Sequence, residues 1–287
     1  MTTAQPLNPS LPPCQLGEGI FCDHRTGTIY WVDIQGNSVH IVDASGAHRT
    51  LPTSGPVSFV FSLPDEQMLL GLKAGVYKTT PNEGVVPVAR LDLPAGHRLN
   101  DGKCDPRGRL WVGTICTAKE PSETGALYRM SGGELREVEG GYVNANGKAW
   151  SPDGQVMYHA DTSRNIIWQY DYNLETGAIA NKRAFARVED GSPDGLCSDS
   201  KGRVLAALYG GSGVAVYSPR GALVEKITLP VPNVTSCCFG GEDLRTLYIT
   251  TAYDGMEPEA REKHPLSGQV FTCEMSVAGL AGVAPLL

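Results

Sequence analysis

The sequence predicts a six-bladed β-propeller with a central channel, and three observations carry that prediction. Short runs of β-branched and aromatic residues recur along the whole 287-residue chain, without alternating helical patterns. Six of these runs align at a spacing of roughly 40 to 47 residues. Four of the six follow a turn centred on aspartate, which is typical of a link between antiparallel strands. Repeats of this length built from antiparallel strands are typical of propeller blades.

Each repeat predicts three strands: the aligned run, the segment before its turn, and a further apolar stretch after it. The aligned runs are Ile29–Val32, Met68–Gly71, Arg109–Val112, Val156–His159, Arg203–Ala206 and Thr246–Ile249. The Asp-centred turns are 23–27, 105–108, 151–154 and 199–202. A β-sandwich or barrel would not need one turn motif at the same point of every unit. We expect one domain over residues 1–287, since sheet-based domains of this size are common.

Charge and composition exclude several classes of partner. The formal net charge of −7 argues against nucleic acid and anionic membranes, which bind clustered Lys and Arg. No export signal and no run of about 18 apolar residues is visible, and no obligate protein partner is evident. The eight cysteines lack C-x-x-C spacing, which favours reduced, buried thiols and a cytoplasmic location. A small neutral molecule is the expected partner.

One polar residue per repeat is predicted to face the channel. Innermost strands of successive blades line the axis, so equivalent positions converge on one small volume. Counting back about 11 to 13 residues from each aligned run gives a polar residue in every repeat. These residues are Glu18, Ser58, Asn100, Asn146, Asp194 and Thr235. Four of them lie within two residues of glycine, which permits close backbone approach at a binding site, although Asn-Gly and Asp-Gly are also ordinary turns.

The channel composition predicts a divalent metal ion. Two carboxylates, Glu18 and Asp194, would repel each other unless a proton or a cation were shared. The side-chain carbonyl of Asn146 would add a neutral oxygen ligand and leave positions open for water or substrate. Oxygen ligands favour calcium, magnesium or manganese, while zinc or ferrous iron remains possible. Zinc-protease, nucleophile-elbow and phosphate-loop motifs are missing from the sequence, and His97 is interpreted as a surface or supporting residue.

Several segments together resemble the SMP-30/gluconolactonase/regucalcin-like family of six-bladed propellers over almost the full chain. The segments are Leu16–Gly19, Arg98–Gly102, Asn146–Gly147 before Trp150–Gly154, Pro193–Leu196 and Thr235–Gly241. The last is the most specific, because it is long. The resemblance departs from the usual family pattern at three positions: Ile20 replaces a proline, Cys22 an aromatic residue and Lys148 an apolar one.

The resemblance implies an activity and a set of roles. Glu18, Asn146 and Asp194 would hold the metal, and Arg98 and Asn100 would bind substrate hydroxyls. Asp101 would brace the loop. The implied reaction is hydrolysis of a sugar lactone, such as a glucono- or xylonolactone, to the aldonic acid, with the metal acting as a Lewis acid.

Several alternatives stay open at this point. Asp194 is the preferred catalytic base, but a metal-bound hydroxide is an alternative nucleophile. The substrate-binding acid expected after the third aligned run could fall at Ala118, Glu120 or Glu123. Competing activities are arylester or organophosphate hydrolysis and a non-enzymatic calcium-binding propeller. Segments 114–124 and 254–266 are expected to be polar loops that could wall the site.

Overall fold

A computed structural model describes residues 3–80 and 83–287 and confirms the six-bladed β-propeller. Each blade is a four-stranded antiparallel sheet. Blade 1 consists of β2 (Gly17–Asp23), β3 (Thr28–Asp33), β4 (Ser38–Val42) and β5 (His48–Pro52). Blade 2 consists of β6 (Val57–Ser62), β7 (Met68–Leu72), β8 (Gly75–Thr80) and β9 (Gly84–Arg90). Blade 3 consists of β10 (His97–Cys104), β11 (Leu110–Cys116), β12 (Gly125–Ser131) and β13 (Glu134–Tyr142).

The remaining blades follow the same order, except for the last. Blade 4 consists of β14 (Ala145–Trp150), β15 (Val156–Asp161), β16 (Ile166–Asn173) and β17 (Ala178–Arg187). Blade 5 consists of β18 (Ser192–Ser198), β19 (Val204–Tyr209), β20 (Gly213–Tyr217) and β21 (Leu223–Thr228). Blade 6 consists of β22 (Asn233–Gly240), β23 (Thr246–Ala252), β24 (Phe271–Glu274) and the N-terminal strand β1 (Gln5–Pro6). The N-terminal strand therefore closes the ring by completing the last blade.

The aligned sequence runs form the second strand of each blade, as the turn pattern predicts. In blades 1, 3 and 5 a buried aspartate fixes the turn before this strand. In blade 3 the Asp105 carboxylate accepts bonds from the backbone N–H groups of Arg107 and Arg109 and from the Arg109 guanidinium. Asp199 forms the same arrangement with Lys201 and Arg203 in blade 5. Each turn thus satisfies a buried charge while joining two strands.

The hydrophobic core lies between the blades. Six clusters of buried side chains each join two successive blades, including blade 6 with blade 1. Between blades 5 and 6, for example, Leu205 and Val214 pack with Phe239, Leu247 and Phe271, all fully or almost fully buried. Since this burial is the main favourable term in folding, the stacking of blades fixes how their innermost strands are placed around the channel.

Two helical turns interrupt the β structure, a 3₁₀ turn at Thr162–Arg164 and an α-helix, α1, at Pro258–Lys263. The helix lies within segment 254–266, which the sequence pattern predicts to be a polar loop, and it has no buried residue. Pro258 at the first helical position and exposed charged residues favour the helix without any apolar face. Among the described residues, no helix is long and apolar enough to cross a membrane.

Candidate metal and substrate site in the channel

A β-bulge lies in the innermost strand of every blade, at or beside the predicted polar residue. At each bulge the pairing register with the second strand shifts, so that extra residues stand opposite the partner strand. The shifts fall at Glu18–Phe21, Val57–Phe59, Leu99–Gly102, Ala145–Lys148, Pro193–Leu196 and Val234–Ser236. The repeat therefore located a structural feature shared by all six blades, and bulges are frequent at functional sites because they redirect side chains.

The glycines beside these polar residues serve contacts between blades. They lie inside strands, so the alternative that they form ordinary hairpin turns is wrong. A Cβ atom on Gly147 would lie 2.2 Å from the Asp194 carbonyl oxygen of the next blade, and one on Gly195 would lie 2.4 Å from the Ser236 hydroxyl. Glycine is needed there because neighbouring innermost strands approach too closely for any side chain.

The site lies near the end of the channel where the innermost strands begin, because each polar residue is among the first four of its strand. At the other end, the C-terminal segment crosses the channel. The N–H of Leu280 donates to the Ser198 carbonyl, and the N–H of Leu286 donates to the Gly108 carbonyl. A Cβ on Gly279 would fall 1.8 Å from the Phe239 ring, so this segment packs tightly. The C-terminal segment therefore covers part of the channel end opposite the site.

Two of the six polar residues connect blades. The buried Ser58 hydroxyl donates to the Leu99 carbonyl over 2.7 Å and joins blade 2 to blade 3. The Thr235 hydroxyl, also buried, donates to the Gly17 carbonyl over 2.5 Å and joins blade 6 to blade 1. These contacts explain why both positions are polar without requiring either side chain to bind a ligand.

Glu18 and Asp194 approach each other in the buried channel, where burial disfavours both charges; Glu18 adds to this effect at Asp194, whereas a hydrogen bond with Asp194 partly lowers the pKa of Glu18. Burial raises the pKa of Glu18 to about 8, with a further increase from Asp101 and opposing contributions from the Gly19 N–H and Arg98. Burial also raises the pKa of Asp194 well above its usual range, and Glu18 and Asp101 raise it further. The pair is thus a strong potential ligand for a cation, since one would relieve both the repulsion and the desolvation.

Asn146 lies beside this pair. Its amide nitrogen donates to the Thr162 hydroxyl over 3.0 Å, and that hydroxyl donates to the Pro193 carbonyl, which precedes Asp194. Its amide oxygen is consequently fixed in direction. In the described part of the chain, this oxygen and Oδ1 of Asp194 are buried and have no hydrogen-bond partner. Leaving two buried acceptors unpaired costs about 1–3 kcal/mol each, which a bound cation would offset.

Glu18, Asn146 and Asp194 fit a cation as a set of two carboxylates and one amide. Over residues 3–80 and 83–287, no three His, Cys, Asp or Glu side chains are grouped as a metal site. Two carboxylates and one amide oxygen would instead supply the protein ligands, and such all-oxygen sets suit hard divalent ions. A site of this kind leaves coordination positions for water or substrate.

Arg98 and Asn100 form one rigid unit at the rim of the channel. A guanidinium nitrogen of Arg98 donates to the Leu99 carbonyl and to the Asn100 amide oxygen, both over 2.9 Å. The amide nitrogen of Asn100 donates to Asn144 over 2.7 Å. Burial lowers the pKa of Arg98, while Glu18, Asp194 and Asp254 raise it. The remaining guanidinium N–H groups are therefore available close to the carboxylate pair.

Asp101 and Lys148 form a buried ion pair immediately beside the site. The Lys148 ammonium is fully buried and lies 3.0 Å from Oδ2 of Asp101. It also donates to the backbone carbonyls of Asp101 and Asn146, both over 2.7 Å. These contacts agree with the expected bracing role of Asp101. They also give Lys148 polar partners, which the apolar residue usual at this position in the family pattern could not bind.

Residues near the third blade's loop occupy the rim. Glu123 forms an ion pair with Arg164 of blade 4, Glu120 is exposed, and Ala118 packs near Gly96. His97 is bonded to Thr124 over 2.6 Å, in agreement with a supporting position. A groove of about 740 Å³ opens beside Arg98, with Lys73 and His97 also in its wall. The groove is wide enough for a small ligand to approach Arg98 from solvent.

Sequence reasoning missed the residues that orient the site from loops. These are Asn144, which binds Asn100; Thr162, which binds Asn146; and Asp254, which binds Gln15 over 2.9 Å and lies near Arg98. None occupies a repeated position in the blades, so spacing alone contained no signal for them. All eight cysteines are free and buried, as expected for core thiols.

Comparison with known proteins gives consistent matches over most of the chain. The model of the SMP-30/Gluconolactonase/LRE-like region matches residues 16–253. A 6-deoxy-6-sulfogluconolactonase of Pseudomonas putida is 34% identical, covering 94% of each chain, and a regucalcin of Gallus gallus is 33% identical over the same shares. The crystal structure of a calcium-binding protein, regucalcin, from Agrobacterium tumefaciens superposes with a TM-score of 0.90 at 27% identity, covering 96% of this chain and 95% of that one.

Proposed function

This chain belongs to the SMP-30/gluconolactonase/LRE-like family, and we propose that it hydrolyses a sugar lactone to the aldonic acid with one divalent metal ion in its channel. The observation that carries the proposal is the convergence of Glu18, Asp194 and Asn146 in one buried volume, with unpaired acceptor oxygens. The lactonase named among the relatives supports the reaction class, and the relatives named regucalcin support a divalent ion.

The metal would be held by Glu18, Asn146 and Asp194. The unpaired oxygens of Asn146 and Asp194 and the two carboxylates of like charge suit a hard divalent cation, with calcium, magnesium and manganese ahead of zinc and ferrous iron. When bound, such an ion supplies Lewis-acid polarisation of a carbonyl oxygen. The chain contributes the fixed direction of the ligands: Thr162 holds the Asn146 amide, and the Gly19 N–H donates to the Glu18 carboxylate over 3.1 Å.

Arg98 and Asn100 would orient the sugar ring. The guanidinium is anchored on Leu99 and Asn100, so its free N–H groups can donate to hydroxyl or ring oxygens without losing much side-chain entropy. The Asn100 amide is already bonded on both sides, which fixes the rim against which a polyol would bind. Such a set of polar groups favours hydroxylated lactones over apolar esters.

Asp194 would act as the base that accepts a proton from the attacking water. The water oxygen adds to the lactone carbonyl carbon, the bond from that carbon to the ring oxygen breaks, and the departing alkoxide takes up a proton. Asp194 can return the proton it received, so the carboxylate is restored at the end of the cycle. Because Asp194 is buried, bulk water does not compete with the reacting water for hydrogen bonds to its carboxylate.

The decisive experiment measures lactone hydrolysis with a pH indicator, above the spontaneous rate. Chelator-treated protein is assayed on 1,4- and 1,5-aldonolactones without metal and with calcium, magnesium, manganese or zinc. We expect turnover that depends on added metal and that is lost in Asp194→Asn. Metal binding without turnover of any lactone would favour the calcium-binding alternative. Turnover of aryl esters or phosphotriesters alone would favour the competing hydrolase activity.

A further inference from the structure

Burial lowers the pKa of Lys148, but the three acceptors around its nitrogen favour the charged form. Its nitrogen lies within hydrogen-bonding distance of three acceptors: the Asp101 carbonyl at 2.7 Å, the Asp101 carboxylate at 3.0 Å and the Asn146 carbonyl at 2.7 Å. Two of these acceptors have no proton to give, and the third is an ionisable carboxylate. Three bonds to acceptors require three N–H groups, which only the ammonium form provides.

The position of this ammonium makes it part of the electrostatics of the channel. The side chain is completely buried, and Asn146, whose carbonyl it binds, is a proposed metal ligand. Asp101 is a third carboxylate near the pair, since its charge raises the pKa of both Glu18 and Asp194. A cation in the channel would therefore be attracted by three carboxylates if Lys148 did not neutralise one of them.

We infer that Lys148 is a positioning residue that pairs with Asp101, keeps that carboxylate out of the metal's ligand set, and thereby lowers the affinity of the channel for divalent cations. The inference rests on the proposed metal site at Glu18, Asn146 and Asp194. A buried positive charge repels a divalent ion that binds beside it and so weakens the binding of that ion. The repulsion is strong because the protein interior has a low dielectric constant and salt screens little there. A tightly held Asp101 would also be unable to move towards the metal.

A purely structural role for the ion pair makes a different prediction. If the pair only joined the bulges of blades 3 and 4, removing either partner would loosen the site, and both changes would weaken metal binding. If charge is the dominant effect, the two changes act in opposite directions. Lys148→Met removes a positive charge and releases a carboxylate, whereas Asp101→Asn removes a negative charge and leaves the ammonium uncompensated.

The test is isothermal titration calorimetry, with calcium or manganese titrated into chelator-treated protein at about pH 7.5. It compares four proteins: wild type, Lys148→Met, Asp101→Asn and the double variant. We expect Lys148→Met to bind at least about tenfold more tightly, Asp101→Asn at least about tenfold more weakly, and the double variant close to wild type. Lys182→Met is the matched control, because it removes a lysine paired with Glu139 on outer strands. It should leave metal affinity unchanged.

Each outcome is decisive. Weaker binding by both single variants, or no change in either, would overturn the inference and leave the metal proposal intact. Failure of the wild type to bind any of these ions would overturn the metal proposal and the inference with it. If Lys148→Met does not fold, the double variant still decides, since the charge effect predicts an affinity close to wild type and a purely structural role predicts weaker binding. Circular dichroism and thermal melts of each variant show which of them are folded.

Discussion

The hydroxyl of Thr235 donates to the carbonyl of Gly17, the residue immediately before Glu18. This bond joins blade 6 to blade 1, where the two ends of the propeller sequence meet. The Thr235 hydroxyl also lies 2.9 Å from the Thr250 hydroxyl, so it has two hydrogen-bond partners, and the side chain is buried. Closure of the ring therefore depends on a polar contact as well as on the N-terminal strand.

Replacing Thr235 by valine should destabilise the protein by about 1–3 kcal/mol, because the Gly17 carbonyl would be buried without its donor. Thr235→Ser keeps the hydroxyl and should cost less. Urea denaturation measures both. Metal affinity should change little in either variant, since Thr235 is not a proposed ligand. A large loss of metal affinity with unchanged stability would instead make Thr235 part of the site.

Gly147→Ala should destabilise the protein by about 1–3 kcal/mol or more and reduce metal affinity. The added methyl group would lie 2.2 Å from the Asp194 carbonyl, so blades 4 and 5 would have to separate where two of the proposed ligands are held. Gly55→Ala is the control, because a Cβ there meets no atom within 4 Å. Equal effects of the two substitutions on the unfolding midpoint would contradict this explanation.

The sequence predicts those site residues that lie at equivalent positions in successive blades. Glu18, Asn146 and Asp194 could be selected because each lies at a fixed distance before the second strand of its blade, and that strand is apolar and regular. Their roles as ligands remain predictions. The ion pair of Lys148 with Asp101 could not be anticipated, because it joins two different blades and depends on the direction of a long side chain inside a bulge.

The outermost strands were missed for a different reason. Strands such as β17 are largely exposed, and the sequence Ala178–Arg187 lacks the alternation of apolar and polar residues that a half-buried strand shows. The two-residue strand Gln5–Pro6 has no pattern at all and is fixed only by its pairing with Phe271 and Thr272. Tertiary contacts, and not local sequence, determine these edges.

Asp194→Asn should have opposite effects on metal binding and on the stability of the metal-free protein. Loss of a ligand carboxylate should abolish turnover and weaken metal binding. Without metal, the free energy of unfolding at pH 7 should rise by roughly 1–3 kcal/mol, because the cost of burying the Asp194 carboxylate and its repulsion with Glu18 are both removed. Asp199→Asn is the control: Asp199 is buried and paired with Arg203, so its replacement should destabilise. Retained activity in Asp194→Asn would contradict the site assignment.

Arg98→Ala should raise KM by roughly tenfold to a hundredfold with a smaller change in kcat, if Arg98 binds the ground state and the transition state equally. Arg98→Lys should be intermediate, since lysine keeps the charge but not the planar set of donors anchored on Asn100. Arg220→Ala, at an exposed position in blade 5, should behave as wild type. A fall in kcat at unchanged KM would instead place Arg98 in transition-state stabilisation.

Acid should destabilise the protein through His40, which lies in blade 1 away from the channel site. Burial and the nearby His48 lower the pKa of His40 to about 4, against a smaller opposing effect of Asp33. The ring lies nearly parallel to Trp31 and His48, shares a hydrogen bond with His48 over 3.1 Å, and contacts the Ser38 hydroxyl and the Cys14 thiol. The unfolded chain therefore takes up a proton near pH 6.5, whereas the folded chain does so only near pH 4.

Stability from His40 is thus present above the unfolded pKa and is lost as pH falls from about 6.5 to about 4. A lowering of this size corresponds to at most roughly 3 kcal/mol. Urea denaturation at about pH 7 and at about pH 4.5, near the lower end of this window, should show a smaller loss in His40→Gln than in wild type. His159, whose pKa burial also lowers, would keep some acid sensitivity in that variant. His24→Gln, at an exposed turn, should retain the full loss, and an identical loss in His40→Gln would show that His40 titrates normally in the folded protein.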